Sequence, residues 1–361
     1  MLIVLLLFCG QATPQDSDID ADEVVTLFPT LARQTDSGGW EIPIHGWIYE
    51  PEARVESLDW FLRQLGLVAP DEPAAAALLA RRAAPFLVDN ERNQRIPIRV
   101  GGQTAKSEPS HPNGHFRLTV IAAAEATTKP AGSPPLLRVH ALPKPGDSRT
   151  FPGTAYLLDN EGVSVVSDID DTIKVSSVRD KSELLKNTFV RPFKAVDGMA
   201  ALYTSWAGRG AAFHYVSASP WQLFAALDEF RATEGFPAGS FHLKTFRLKD
   251  ETFLSLFESP EAYKTSTIRE LIRRFPKRRF ILIGDSGERD PEAYAALRRE
   301  FPQNVAAILL RDVTGEGRDA QRYRNIFRDV PADDWQVFRE PEEIEVPNIL
   351  TQPNPDTRAE R

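Results

Sequence analysis

The chain has 361 residues, of which 42% are hydrophobic and 26% are charged. That length allows two domains of ordinary size, and that composition excludes a chain that is disordered throughout. The formal net charge of -8 argues against general nucleic-acid binding, because a phosphate backbone requires clustered Lys and Arg, but it leaves a phosphorylated substrate open.

The first residues of the chain have the pattern of a short secretory signal. Residues 2–8 are an apolar run, far too short to span a bilayer, which requires roughly 20 apolar residues. Gly10-Gln11-Ala12 then supplies the small residues that a signal peptidase reads, although no Lys or Arg precedes the run. We therefore expect a signal peptide over residues 1–12 and export to the periplasm or beyond, with the cytoplasm as the alternative. Cys9 is the only cysteine, so no disulfide can form within the chain.

Residues 24–159 show the pattern of a β-rich domain. Apolar and polar residues alternate over 40–44, and Asn113-Gly114 is a turn signal followed by apolar residues at every second position. Helical patterns interrupt the strands around residues 57–65 and 73–84. We expect a β-sandwich-like domain with a helical insertion, and the sequence does not indicate a partner for it.

Residues 160–339 change to strands that alternate with amphipathic helices. The strands are near-continuous apolar runs, which are typical of parallel strands buried on both faces. This alternation predicts an α/β domain with a doubly wound parallel sheet, in which ligands bind at the carboxyl ends of the strands. One helix is predicted over 266–275, and residues 340–361 are expected to be an acidic, disordered tail. The strands are predicted over 163–167, 211–216, 279–283 and 305–310.

The first of these strands ends in Ser167-Asp168-Ile169-Asp170-Asp171-Thr172. Three crowded carboxylates repel one another unless a cation compensates them. The two-residue spacing sends Asp168 and Asp170 to the same side of an extended chain, so one can attack while the other handles protons. The alternative is an Asp-rich turn that caps the next segment, and this motif alone does not decide between the two.

The second strand ends in Ser217-Ala218-Ser219-Pro220. The hydroxyl of Ser217 and the amides of a following helix N-terminus could bind phosphate oxygens. Ser219 followed by Pro220 fits a helix N-cap and a first helical position, and we prefer this structural interpretation for Ser219.

The third strand ends in a segment from Gly284-Asp285 to Asp290-Pro291. Asp290 could bind a metal or only cap the helix that Pro291 begins, whereas Asp285 has no such local explanation. Lys264 precedes the helix predicted over 266–275, where a lysine is usually solvated. It is a candidate here because two carboxylate-bearing strand ends and a phosphate require a balancing cation.

These sites, in this order, resemble the haloacid dehalogenase superfamily of phosphatases. Asp168-Ile169-Asp170-Asp171-Thr172 matches the first motif of that superfamily, Ser217 the second, Lys264 the third and the Gly284–Asp290 segment the fourth. A closer resemblance, over roughly residues 24–313, is to the magnesium-dependent phosphatidate phosphatase catalytic domains associated with actin patches in fungi, which have bacterial relatives. That family usually has His before the third-motif lysine, and Tyr263 stands there in this chain.

The resemblance implies a mechanism. Asp168 would attack phosphorus and form an aspartyl-phosphate, and Asp170 would protonate the leaving alkoxide and later take a proton from water. Ser217 and Lys264 would hold the phosphate oxygens.

The resemblance also implies a magnesium ion. Its expected ligands are Asp168, the backbone carbonyl of Asp170, and Asp285. Asp290 is expected to help through a water or by hydrogen bonding to these ligands, and Thr172 to support them in the same indirect way.

The expected substrate is phosphatidate, which would give diacylglycerol and phosphate. A soluble phosphate ester is the alternative within the same enzyme class. A binding module with an inert phosphatase fold is a further alternative, but the intact Asp168 and Asp170 argue against it. A basic cluster could touch an anionic membrane, or could be only the solvated end of a helix, which we prefer. Its members are Arg273, Arg274, Lys277, Arg278 and Arg279.

Overall fold

The computed structural model describes residues 17–51, 55–123, 127–128, 133–245 and 261–351. The expected signal peptide over 1–12, with Cys9, lies outside these residues. The chain divides into two compact units. The first comprises Met1–Glu52, Val88–Lys129 and Pro135–Leu158, and the second comprises Ala53–Leu87, Pro130–Pro134 and Asp159–Arg361.

The first unit is β-rich. Its described residues contain nine strands in one mixed sheet, with the order β1-β3-β2-β9-β8-β5-β6 and with β4 and β7 paired to β3. Alternation along β3 buries Ile42, Ile44 and Ile48 in the core of this unit, which is the period-two pattern expected of a sheet with one buried face. The sandwich-like arrangement stays a prediction. The strands are β1 (Val24–Leu27), β2 (Thr30–Gln34), β3 (Trp40–Glu50), β4 (Asp89–Asn90), β5 (Pro97–Val100), β6 (Gln103–Lys106), β7 (His115–Ala122), β8 (Leu136–Ala141) and β9 (Phe151–Leu158).

The second unit is an α/β domain around a parallel sheet. In the described part of the chain this sheet has six strands in the order β12-β11-β10-β13-β14-β15, and every neighbouring pair is parallel. The predicted α/β class with a parallel sheet is therefore confirmed, and all four predicted strands are present, with ends that differ from the predicted ones by up to four residues. The strands are β10 (Glu161–Ser167), β11 (Ala212–Pro220), β12 (Gly239–Lys244), β13 (Lys277–Asp285), β14 (Val305–Arg311) and β15 (Trp335–Phe338).

The helices of the second unit include both helices of the predicted insertion. That insertion interrupts the β-rich half in sequence, yet its apolar face packs in the second unit, where the rings of Phe61 and Phe189 lie 5.4 Å apart. No helix among the described residues is both long and apolar enough to cross a membrane. The helices are α1 (Val55–Leu65), α2 (Pro73–Ala83), α3 (Lys181–Phe189), α4 (Met199–Ala207), α5 (Phe224–Thr233), α6 (Glu261–Arg274), α7 (Asp290–Glu300), α8 (Gln321–Ile326) and α9 (Asn348–Thr351).

Two expectations for this unit are corrected. Helix α6 already includes Lys264, which therefore does not precede the helix, and its inward face buries Lys264 together with Ile268 and Leu271. The predicted disordered tail is wrong for residues 340–351, because Pro341, Ile344 and Leu350 are buried there. The rest of that tail lies outside the described residues.

Candidate active site

The candidate residues meet at the carboxyl edge of the parallel sheet. Strand β10 lies between β11 and β13, so the segments that follow these three strands are neighbours. Asp168 directly follows β10, and its backbone N–H donates to the carbonyl of Ile283 in β13 at 2.8 Å. Ser217 lies near the end of β11, and Asp285 is the last residue of β13. The edge predicted to carry the chemistry thus gathers side chains from three strands.

Both oxygens of Asp168 are engaged. Oδ1 lies 2.8 Å from Nζ of Lys264, and Oδ2 accepts a hydrogen bond from the Thr172 hydroxyl at 3.0 Å. Burial raises the pKa of Asp168 well above its usual value, and Lys264 opposes this while Asp290 reinforces it. Burial and the charge of Asp290 thus disfavour the ionised form of Asp168, which an additional cation beside it would favour.

Lys264 is buried beneath three carboxylates. Burial alone would lower the pKa of its amine, but the surrounding carboxylates raise it well above the usual value, so the amine stays charged. Its Nζ lies 2.8 Å from Asp168, 2.7 Å from Glu288 and 2.7 Å from Asp290. Lys264 thus lies where a cation can partly balance these carboxylates.

Three carboxylates form a group that could hold a metal ion. One oxygen of each of Asp168, Asp285 and Asp290 lies within 4.8 Å of the others. Oδ1 of Asp285 accepts from the N–H of Gly287 at 2.6 Å, whereas its buried Oδ2 has no hydrogen-bond partner among the described residues. An unpaired buried acceptor costs about 1–3 kcal/mol, and oxygen-only donors suit a hard divalent cation. These residues therefore fit the predicted magnesium ion, with the Asp290 side chain as a third carboxylate in the group.

Asp290 does not cap its own helix. Its Oδ2 accepts from the backbone N–H of Asp285 at 3.3 Å, and its Oδ1 accepts from Lys264. The N-cap position of α7 is Arg289, which makes no side-chain capping bond. The structural alternative considered for Asp290 is therefore wrong, because both of its oxygens accept hydrogen bonds inside the site.

The backbone of Gly284 packs closely against the side chain of Asp290. A Cβ at Gly284 would lie 2.2 Å from Oδ2 and 2.8 Å from Cβ of Asp290. We expect Gly284→Ala to displace Asp290 and to lower the free energy of unfolding by about 1–3 kcal/mol, measured by denaturant titration. Gly208→Ala is the matched control in the same unit, since its Cβ would lie 3.5 Å from the nearest atoms and its φ is -60. Equal stability of the two variants would contradict this close packing.

Asp170 accepts hydrogen bonds on both of its oxygens. Its Oδ1 lies 2.7 Å from Nζ of Lys174 and accepts from the hydroxyl of Ser176 at 2.7 Å. Its Oδ2 accepts from the hydroxyls of Ser217 and Ser219, each at 3.0 Å. Burial alone would raise the pKa of Asp170, but Lys174 and these hydroxyls outweigh it and hold the pKa below its usual range. In this arrangement Asp170 is held as a carboxylate, and its contacts with Lys174 and the hydroxyls oppose its protonation.

The capping role predicted for Ser219 is wrong. The short 3-10 helix Trp221–Leu223 follows β11, and its N-cap position is Pro220, without a side-chain bond. Ser219 lies one residue before that N-cap position, and its hydroxyl donates to the buried carboxylate of Asp170, which is a strong charged acceptor. Ser217 likewise donates to Asp170, so its predicted contact with phosphate requires Asp170 to turn away.

The support of Asp170 extends to the helical insertion. The ring of Phe193 contacts two cations, with its centroid 4.8 Å from Nζ of Lys174 and 3.6 Å from Cζ of Arg82 in α2. Arg82 also donates to the carbonyls of Thr188 and Arg191 at 2.8 Å and 2.7 Å. Sequence reasoning missed Lys174, Glu288 and this contact. Of these, only Lys174 could have been suspected from the sequence, because it lies six residues after Asp168.

The basic cluster lies at the other end of the sheet. Lys277 begins strand β13, whereas Asp285 ends it, so the cluster lies at the amino ends of the parallel strands. Arg278 is buried and donates to backbone carbonyls, and Arg273 pairs with Glu300 at 3.1 Å. A membrane contact by this cluster stays a prediction, and it would not occur at the edge that carries the site.

Carboxylates, hydroxyls and a buried lysine at the carboxyl edge of a parallel sheet are suited to phosphoryl chemistry. Residues 163–312 match the family model of a phosphatase catalytic domain. The matching model is described as phosphatidate phosphatase APP1, catalytic domain, and this match confirms the predicted resemblance.

Two fungal proteins are similar to this chain. Phosphatidate phosphatase APP1 of Saccharomyces cerevisiae is 34% identical over 197 residues, which are 54% of this chain and 31% of that protein. An uncharacterized protein of Schizosaccharomyces pombe is 32% identical over 44% of this chain and 27% of its own length. The chain thus spans about a third of the length of these relatives. A solved carbohydrate esterase structure aligns over 83% of this chain and 91% of its own with 10% identity and a TM-score of 0.21, which is too low to inform the fold.

Proposed function

We propose that this protein is a magnesium-dependent phosphatase that hydrolyses phosphatidate to diacylglycerol and phosphate through an aspartyl-phosphate on Asp168. The observation that carries the proposal is the buried Asp168 carboxylate, held against Lys264 beside the unpaired oxygen of Asp285. The match of residues 163–312 to the phosphatidate phosphatase catalytic domain supports the choice of substrate. Strand β10, which Asp168 follows, lies in the interior of the parallel sheet, and this position supports a haloacid dehalogenase-like, doubly wound fold.

Asp168 is the nucleophile in this proposal. Thr172 donates to Oδ2, which orients the carboxylate while Oδ1 faces Lys264. When an oxygen of Asp168 bonds to phosphorus, the bond from phosphorus to the alkoxide oxygen breaks and the alkoxide leaves. Lys264 then stabilises the negative charge that spreads over the remaining phosphate oxygens.

Asp170 handles the proton. To protonate the alkoxide, it must first gain a proton and leave Lys174 and the serine hydroxyls that lower its pKa. As a carboxylate it accepts a proton from the water that opens the aspartyl-phosphate. When Asp170 turns away, the hydroxyls of Ser217 and Ser219 become available to donate to phosphate oxygens.

Asp168, Asp285 and Asp290 are the carboxylates that would hold the magnesium ion, together with the backbone carbonyl of Asp170 expected from the family. When bound, the ion would neutralise the crowded carboxylates and the phosphate.

Export of the protein stays a prediction from its first twelve residues.

The substrate is tested by phosphate release from matched substrates. We expect the rate on phosphatidate to rise sharply when the lipid is presented in mixed micelles or vesicles, and kcat/KM to be higher for phosphatidate than for lysophosphatidate or small soluble esters. Asp168→Asn is the blank for contaminating phosphatase. Greater efficiency on a soluble ester would favour the alternative substrate class. No release from any substrate would favour a binding module.

A further inference from the structure

Lys264 meets three carboxylates in the free enzyme: it donates hydrogen bonds to Glu288 and Asp290 and forms an ion pair with Asp168. A lysine ammonium carries three N–H donors. Three carboxylate oxygens surround Nζ, at 2.8 Å for Asp168, 2.7 Å for Glu288 and 2.7 Å for Asp290. If Lys264 binds a phosphate oxygen, as the proposed function requires, one of these carboxylates must give way.

Glu288 is the carboxylate that can leave. The side chains of Asp168 and Asp290 are each 1% exposed, whereas that of Glu288 is 17% exposed. Asp168 is also held by Thr172, and Asp290 is held by the backbone N–H of Asp285. Among the described residues, the Glu288 carboxylate accepts a hydrogen bond from Lys264 alone.

The backbone of Glu288 is anchored independently of its side chain. Its N–H donates to Oδ1 of Asp285 at 3.2 Å, and its carbonyl accepts from Nη2 of Arg322 at 2.7 Å. The side chain can therefore swing outward by rotation about its own bonds while the loop that carries Asp285 keeps its place.

We propose that Glu288 is a placeholder carboxylate that occupies the phosphate position on Lys264 in the free enzyme. A phosphoryl group, from either a lipid or inorganic phosphate, displaces it on binding. Its return after hydrolysis promotes the release of inorganic phosphate. This inference rests on the proposed role of Lys264 as a phosphate ligand, and it makes Glu288 a positioning residue that tunes phosphate affinity.

The test is the affinity of the full chain for inorganic phosphate, measured by calorimetry in the presence of magnesium. Glu288→Gln keeps the shape of the side chain but removes the charge that competes for Lys264. We expect the Kd for phosphate to fall at least about tenfold, since a hydrogen bond between charged groups is being replaced by a weaker one. The constant for inhibition by phosphate should fall by the same factor, and KM should change more than kcat.

Two further variants sharpen the test. Glu288→Asp retains the charge but shortens the side chain away from Lys264, so it should also tighten phosphate binding. Glu300→Gln removes one negative charge from the far end of α7 and should leave the Kd within about twofold of wild type. If both Glu288 variants fold, as judged by thermal unfolding, and bind phosphate no more tightly than wild type, the placeholder role is wrong.

The proposed function fails by a different result. Wild-type protein that binds phosphate but releases none from any ester would refute the phosphatase activity. Tighter phosphate binding by the Glu288 variants would still support the placeholder in that case. Absence of phosphate binding in wild type and in both variants would overturn the placeholder itself.

Discussion

Asp168→Asn should reduce turnover to background. The substitution keeps the shape of the side chain and an acceptor for the Thr172 hydroxyl, but it removes the charge that attacks phosphorus. No aspartyl-phosphate can then form. Phosphate release measures the loss, and mass spectrometry of acid-quenched protein checks for the covalent label. Asp228→Asn is a matched control in the same unit, since Asp228 pairs only with the nearby Arg231 at 2.7 Å among the described contacts, and it should turn over normally.

Asp170→Asn should separate the two halves of the reaction. The nucleophile remains, but the residue that moves the proton is lost, which typically costs about 10²–10⁴-fold. An activated aryl phosphate has a leaving group that needs no proton, so attack on it should survive better than hydrolysis of the intermediate. A hydroxylamine-labile phosphoprotein should then accumulate in this variant and be absent from Asp168→Asn. Label on Asp170 in the wild type, or normal turnover by Asp168→Asn, would show that the nucleophile is assigned wrongly.

Removal of the divalent cation should abolish activity, and magnesium should restore it. The carboxylates of Asp168, Asp285 and Asp290 are buried together, and Lys264 compensates their mutual repulsion only in part, so a bound cation is needed to complete the site. Calcium should inhibit, because its longer and looser coordination spoils the alignment for attack. Full activity in excess chelator would refute the metal site.

A stability measurement tests the same site without turnover. Magnesium at 100 times its Kd should stabilise the wild type by about 2.7 kcal/mol, seen as a rise in Tm. Asp285→Asn should lose this response. Burial and the charge of Asp290 raise the pKa of Asp285, so removing its charge should also make the metal-free variant at least as stable as the metal-free wild type. Asp228→Asn again serves as the control. Asp312→Asn would be unsuitable, because the Asp312 carboxylate accepts hydrogen bonds from the backbone N–H groups of Gly315 and Gly317 and so holds that loop.

The sequence by itself determined which strands would be buried and which side chains would follow them. Apolar runs such as 163–167 are local patterns, and a parallel sheet brings their carboxyl ends to one edge whatever the details of packing. Asp168, Asp170 and Asp285 could therefore be placed from the sequence, as could the two helices of the insertion, whose apolar periodicity is also local.

Only the tertiary structure decided which partners these side chains take. Ser219 has the local pattern of a helix cap, but its hydroxyl donates a hydrogen bond to the buried carboxylate of Asp170, 49 residues away in sequence. Glu288 and Lys264 carry no local sign of their contact, which depends on α6 lying beside the loop after β13. The insertion belongs to the second unit because Phe61 and Arg82 find their apolar and carbonyl partners there. Long-range partners compete for a small number of donors and acceptors, and the three-dimensional packing of the chain selects among them.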